Sequence, residues 1–111
     1  MGRFVKGDVI ILPFPFSDLS KAKRRPALVL ASFPGDDIIL CQITSVDRAD
    51  PWAIPLTDAD LQEGTLGRKS FIRPTRLFTA DSNIVLNRVG QIKRTLLNRV
   101  IERVVEIIKD K

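Results

Sequence analysis

Lys21-Ala22-Lys23-Arg24-Arg25-Pro26-Ala27-Leu28-Val29-Leu30 is the stretch from which the fold is read. Four cations close a polar loop, Pro26 fixes the backbone, and the sequence then turns apolar on both faces. This is the pattern of a buried strand with charge at its mouth. Cations at the rim of a firm sheet suit a phosphate site, because a guanidinium presents forked donors and stays charged at any cellular pH. The same residues read equally well as solubilising gatekeepers beside an aggregation-prone strand.

On the N-terminal side, Gly7-Asp8 forms a turn that launches a strand over residues 9–12, and Pro13-Phe14-Pro15-Phe16 ends it at a sheet edge. The double-sided apolarity of residues 26–31 calls for a barrel interior on one side and another element or subunit on the other. On the C-terminal side, Pro34-Gly35-Asp36-Asp37 turns the chain into a third strand, residues 38–46. There Ile39, Cys41 and Ile43 share one face, and Ile38, Leu40, Gln42 and Thr44 the other. Residues 47–51 are a turn, and Trp52, Ile54 and Leu56 mark a short fourth strand. Thr57-Asp58-Ala59-Asp60 has the form of a capped helical turn, and Gly64 and Gly67 predict a mobile segment after it.

Residues 70–73 form a fifth strand, continued over 77–79 beyond Pro74, and residues 85–86 with 89–92 form one bent strand or a hairpin arm. Thr95 is positioned to cap a final helix in which Leu96, Val100, Val104 and Ile108 recur beside Leu97, Ile101 and Val105. Five or six punctuated strands followed by a helix predict a mainly β domain with a C-terminal helix, a small SH3-like barrel.

The chain has 111 residues, enough for one domain over 1–111 with its own core, and carries a net charge of +5. An excess of cations favours a polyanionic partner such as nucleic acid. Histidine is absent, which removes the usual neutral-pH proton shuttle and the commonest metal ligand. The sequence shows no metal-binding cluster and no Gly-rich nucleotide loop, so no metal and no cofactor is expected. The single cysteine, Cys41, falls in an apolar run and reads as a core residue. No apolar run reaches the roughly 18 residues of a membrane span. The N-terminus lacks a secretory pattern, so a cytoplasmic location is expected.

Several of these segments resemble the MazF/PemK family of toxin ribonucleases from type II toxin-antitoxin pairs. They are Gly7-Asp8-Val9-Ile10, residues 23–30, Ile43-Thr44-Ser45, Ser70-Phe71-Ile72-Arg73-Pro74, and Gly90-Gln91-Ile92. The specific part is the Arg-Pro-apolar strand followed some eighteen residues later by Ile-Thr-Ser. The resemblance implies the small barrel shared with CcdB-type gyrase poisons, a homodimer, a cognate antitoxin partner, DNA binding in complex with that antitoxin, and metal-independent cleavage of single-stranded RNA. It also implies that Arg25 and Thr44 are catalytic, Arg25 neutralising the phosphate and Thr44 hydrogen-bonding it or the 2′-hydroxyl.

Arg73 matches a further active-site arginine of some members and reads equally as one half of a structural salt bridge. The aspartate those members carry two residues later is Thr75 here, and loop one reads Asp18-Leu19-Ser20 where a histidine is found in others. Ser45 is a further substrate-binding candidate, and Ser17, Asp18, Lys21 and Arg24 are candidates by loop position. Two other functions remain open at this point: a non-enzymatic CcdB-like toxin that binds a protein such as gyrase, and a passive nucleic-acid-binding SH3-like module.

Overall fold

A computed structural model of the chain describes residues 3–15 and 22–111. Seven strands and one long helix follow in the order β1 (Asp8–Pro15), β2 (Ala22–Ser32), β3 (Asp37–Thr44), β4 (Ile54–Leu56), β5 (Leu61–Gly64), β6 (Ser70–Asp81), β7 (Asn87–Ile92) and α1 (Arg94–Asp110). Short 3-10 turns cover Asp58–Asp60 and Ser82–Ile84. The strands make one antiparallel sheet of order β4-β6-β3-β2-β1-β7-β5. Register shifts in four of the pairings bend it, and it curls into a half-barrel.

Alternation along the strands supplies both faces with apolar side chains, and two clusters result. Val9, Leu28, Cys41, Ile43 and Ile72 pack with Leu96, Leu97 and Val100 of α1. On the opposite face, Ile10, Leu12, Ala27, Val29, Ile38 and Leu40 form a second cluster flanked by Phe4, Phe14, Phe78, Ala80 and Val85. β2 contributes to both clusters, which explains why it is apolar on both faces. The faces expected for β3 are those observed, with Cys41 and Ile43 toward the helix and Ile38 and Leu40 away from it.

Several boundaries differ from the expectation. β1 continues through Pro13 because, beyond Ile11, it pairs with β2 alone, and a proline costs nothing on a side that needs no ladder donor. β2 begins at Ala22, so Arg24 and Arg25 stand on the strand instead of on the loop before it. β3 ends at Thr44, and residues 85–86 precede β7. The N-cap of α1 is Lys93, with Thr95 one residue inside the helix. Asp60 accepts the Thr57 N–H at 2.9 Å, one half of the expected capping box.

Gly64 ends strand β5, where the sequence predicts a mobile segment. Its φ is +85°, it pairs with Gly90 across β5 and β7, and a Cβ there would lie 2.0 Å from the Val89 carbonyl oxygen. Glycine is needed for close backbone approach at this point. A buried network ties the same edge to the N-terminal turn. Asp8, its side chain 3% exposed, accepts from Val5 N (2.9 Å), Arg88 Nε (2.9 Å) and Gln91 Nε2 (3.1 Å), while the outer nitrogens of Arg88 reach Glu63.

Candidate active site

The register of the sheet sets the candidate residues in rows. The β2–β3 ladder ends at Ala27↔Gln42, and Arg25 on β2 and Thr44 on β3 each stand two residues beyond that pair. Across the other edge of β3, Thr44 pairs with Phe71 and Gln42 with Arg73. On the far side of β2, Arg25 pairs with Leu12. One paired row therefore runs Ala27, Gln42, Arg73, and a second, interrupted between β2 and β3, has Arg25 beside Leu12 and Thr44 beside Phe71. Both rows belong to the face turned away from α1, since Ala27 and Leu12 lie in the second cluster. Diagonal side chains across a ladder stand about 7–8 Å apart, so Arg73 lies beside Thr44, while Arg25 stands on the neighbouring strand on the other side of β3.

A three-residue irregularity in β6 produces this arrangement. Cys41 pairs with Leu77 and Gln42 with Arg73, so residues 74–76 are looped out of the ladder. Pro74 has no N–H to contribute there. The Cys41 thiol donates to the Arg73 carbonyl at 2.9 Å inside the irregularity, and burial pushes its pKa up to about 12. A neutral, buried thiol is a core group, as the sequence predicts.

Thr44 is buried, and its Oγ1 accepts the Val46 N–H at 3.1 Å, which orients the hydroxyl at the end of β3. Together with Arg73, Asp50 and Phe71 it lines a small cleft of about 90 Å³. Arg73 Nε lies 3.2 Å from Asp50 Oδ2, so the ion pair that the sequence left as an alternative is present. Asp50 lies outside every motif noted in the sequence. The only local signal is an acid before Pro51, typical of a turn, whereas its partner is 23 residues further along. On the other side of Gln42 a larger groove of about 660 Å³ runs past Leu12, Phe14, Phe78 and Arg76. Arg76 Nε donates to Gln42 Oε1 at 3.2 Å, and the Phe14 and Phe78 rings meet edge to face at 4.7 Å.

The remaining candidates divide. Arg25 is half-buried with its Nε enclosed, whereas Arg24, next along the strand, is exposed and alternates to the other face. Ser45 is exposed just past the end of β3. Thr75 is exposed in the looped-out segment, and the carboxylate beside Arg73 comes from Asp50 instead. Lys21, Ser17 and Asp18 lie outside the described residues.

The model of the family described as "PemK-like, MazF-like toxin of type II toxin-antitoxin system" matches residues 5–108. The chain belongs to this family. Compared one by one with curated proteins, the sequence finds no match. Solved MazF structures share the fold of this MazF-like toxin. The MazE-MazF complex of Deinococcus radiodurans (Form-III) aligns at TM-score 0.76 and 18% identity over 97% of this chain and 98% of the other. An endoribonuclease in complex with its cognate antitoxin from a mycobacterial species aligns at TM-score 0.76 and 11% identity, over 97% of each chain. Mycobacterium tuberculosis toxin MazF-mt6 aligns at TM-score 0.69 and 18% identity, over 93% of this chain and 96% of the other. The small barrel expected of a PemK-type toxin is thus the fold observed. Among the described residues, no helix of this MazF-like toxin is long and apolar enough to cross a membrane.

Proposed function

We propose that this MazF-like toxin is a metal-independent endoribonuclease that cleaves single-stranded RNA by attack of the substrate's own 2′-hydroxyl. What supports this reading is that Arg25 and Thr44 each stand two residues beyond the Ala27↔Gln42 pair on adjacent strands, with Arg73 paired to Gln42 on the strand beyond. Such cleavage requires orientation of the nucleophile and neutralisation of a crowded phosphorane, both of which are positional and electrostatic tasks. The 2′-oxygen loses its proton to solvent and attacks phosphorus, the P–O5′ bond breaks, and the 5′-oxygen is protonated. The products are a 2′,3′-cyclic phosphate and a 5′-hydroxyl.

Arg25 neutralises the phosphorane with its fork, and the Thr44 hydroxyl, its oxygen already engaged as an acceptor, donates to a phosphate oxygen. The groove past Phe14 and Phe78 is wide enough for flanking bases, whose faces stack on aromatic rings without demanding a particular sequence. In the cytoplasm the active form is a homodimer, held in check by a cognate antitoxin whose acidic segment occupies the same basic face. Relatives solved together with an antitoxin support that reading.

Purified protein with EDTA and a pool of single-stranded RNA should yield fragments with cyclic phosphate and 5′-hydroxyl ends. Arg25→Ala and Thr44→Ala should each lower the rate by about 100- to 1,000-fold with the circular dichroism spectrum unchanged. Arg25→Lys should fail nearly as badly, because an ammonium lacks the fork. Undiminished cleavage by either alanine variant rejects the assignment. Growth arrest that persists in Arg25→Ala would point instead to a protein target bound without catalysis.

A further inference from the structure

Asp50 is held more firmly than a loop carboxylate needs to be. Its Oδ1 accepts the Trp52 N–H at 2.9 Å, and the Trp52 carbonyl in turn accepts from Arg103 of α1 at 2.9 Å. The preceding residue, Ala49, sits at φ +53°, a left-handed conformation that a residue with a Cβ adopts only under strain. The Asp47 carboxylate accepts the Ala49 N–H at 3.0 Å and holds that conformation. The helix and a strained turn thus fix one oxygen of Asp50, and its other oxygen meets Arg73 through Nε alone. Among the described residues, neither outer nitrogen of Arg73 makes a hydrogen bond. Its side chain remains 18% exposed, in the cleft that Thr44 also lines.

We propose that Asp50 is a positioning residue, which grips Arg73 by Nε so that the two outer guanidinium nitrogens form a phosphate-binding fork beside Thr44. A guanidinium gripped at one edge keeps its planar pair of donors for a second acid, the geometry in which arginine binds phosphate bidentately. The cleft of about 90 Å³ is far below the roughly 300 Å³ of a small-molecule pocket, so it takes one phosphate and not a nucleotide. The proposal deepens the ribonuclease reading and rests on it only for the source of the phosphate, an RNA backbone.

The test uses the full chain labelled with nitrogen-15 and follows the Arg73 Nε–H signal, assigned with Arg73→Lys. Inorganic phosphate is titrated first, and then a pool of 2′-O-methyl RNA that cannot be cleaved. In the wild type the signal should shift with both probes. Asp50→Ala should weaken phosphate binding about tenfold, and Asp50→Asn, whose single amide oxygen can accept from Trp52 or from Arg73 but not from both, should recover only part of it. Phosphate binding is read in parallel from the Thr44 backbone amide, which survives in an Arg73→Ala background, and there the Asp50→Ala change should have no further effect, as two residues acting through one contact are non-additive.

A simple ion pair predicts the opposite sign, since removing a nearby negative charge would tighten anion binding. Tighter or unchanged binding in Asp50→Ala therefore overturns the proposal, as does additivity of the two changes. If Asp50→Ala does not fold, Asp50→Asn carries the same signs. Wild-type protein that binds phosphate in this Asp50-dependent way but never cleaves RNA would reject the ribonuclease reading and leave the fork in place. Normal cleavage by an Asp50→Ala variant with unaltered phosphate binding would do the reverse.

Discussion

Replacing Asp8 with alanine should cost this toxin more stability than any other single loss of a carboxylate among the described residues. The side chain is 3% exposed and accepts three hydrogen bonds, from Val5 N, Arg88 Nε and Gln91 Nε2. Breaking a buried ion pair from one side costs about 3–5 kcal/mol, mostly because the surviving charge is stranded. Arg88 is not fully stranded here, since its side chain is 34% exposed and its outer nitrogens still hold Glu63. The lower end, about 3 kcal/mol, is therefore expected.

With an unfolding entropy of about 2.1 cal/mol/K per residue, a chain of 111 residues should lose about 13 °C of Tm. Asp8→Asn should fall between, because an amide oxygen can serve Val5 or Arg88 but its nitrogen cannot accept from either. Glu63→Ala, on the exposed side of the same arginine, should lower Tm by much less than Asp8→Ala does. Thermal and urea unfolding followed by far-ultraviolet circular dichroism checks all three. A loss for Asp8→Ala no larger than that for Glu63→Ala would refute the claim that the buried half of this network carries the stability.

Gly64→Ala should destabilise the fold by more than about 3 kcal/mol, or prevent folding, since strain at a φ of +85° adds to a collision with the Val89 carbonyl; near-native urea unfolding would contradict it. Cys41, with its pKa pushed up to about 12, should resist Ellman's reagent at pH 8 until the protein unfolds, so labelling at the rate of a free thiol would show that the site is open. The hydrogen bond from Arg88 holds the Glu63 carboxyl below its ordinary value of 4.5. A lowered folded-state pKa means stability that is present above pH 4.5 and is lost as the pH falls through the folded value. The wild-type Tm should thus drop more steeply below pH 4.5 than that of Glu63→Gln, and equal slopes would remove Glu63 from the account.

Sequence alone determined the features that depend on local chemistry. The alternation in residues 38–44 assigned Cys41 and Ile43 to one face and Thr44 to the other, because the strand period is two wherever the chain is extended. The four-residue recurrence from Leu96 to Ile108 placed a helix at the C-terminus for a similar reason. Prolines and glycines located most turns, and the resemblance carried by Arg25-Pro26 and Ile43-Thr44-Ser45 led to the family. The tertiary structure decided whatever depends on which strands become neighbours. No local pattern shows that residues 74–76 leave the ladder, yet that irregularity is what brings Arg73, and not Arg76, opposite Gln42. Nor does any pattern join Asp50 to an arginine 23 positions away. Gly64 read as part of a mobile segment because a glycine's freedom is visible in sequence, whereas the carbonyl that forbids a side chain there belongs to a strand arriving 25 residues later. Pairing across a sheet is a long-range contact, and its register is set by the whole core at once.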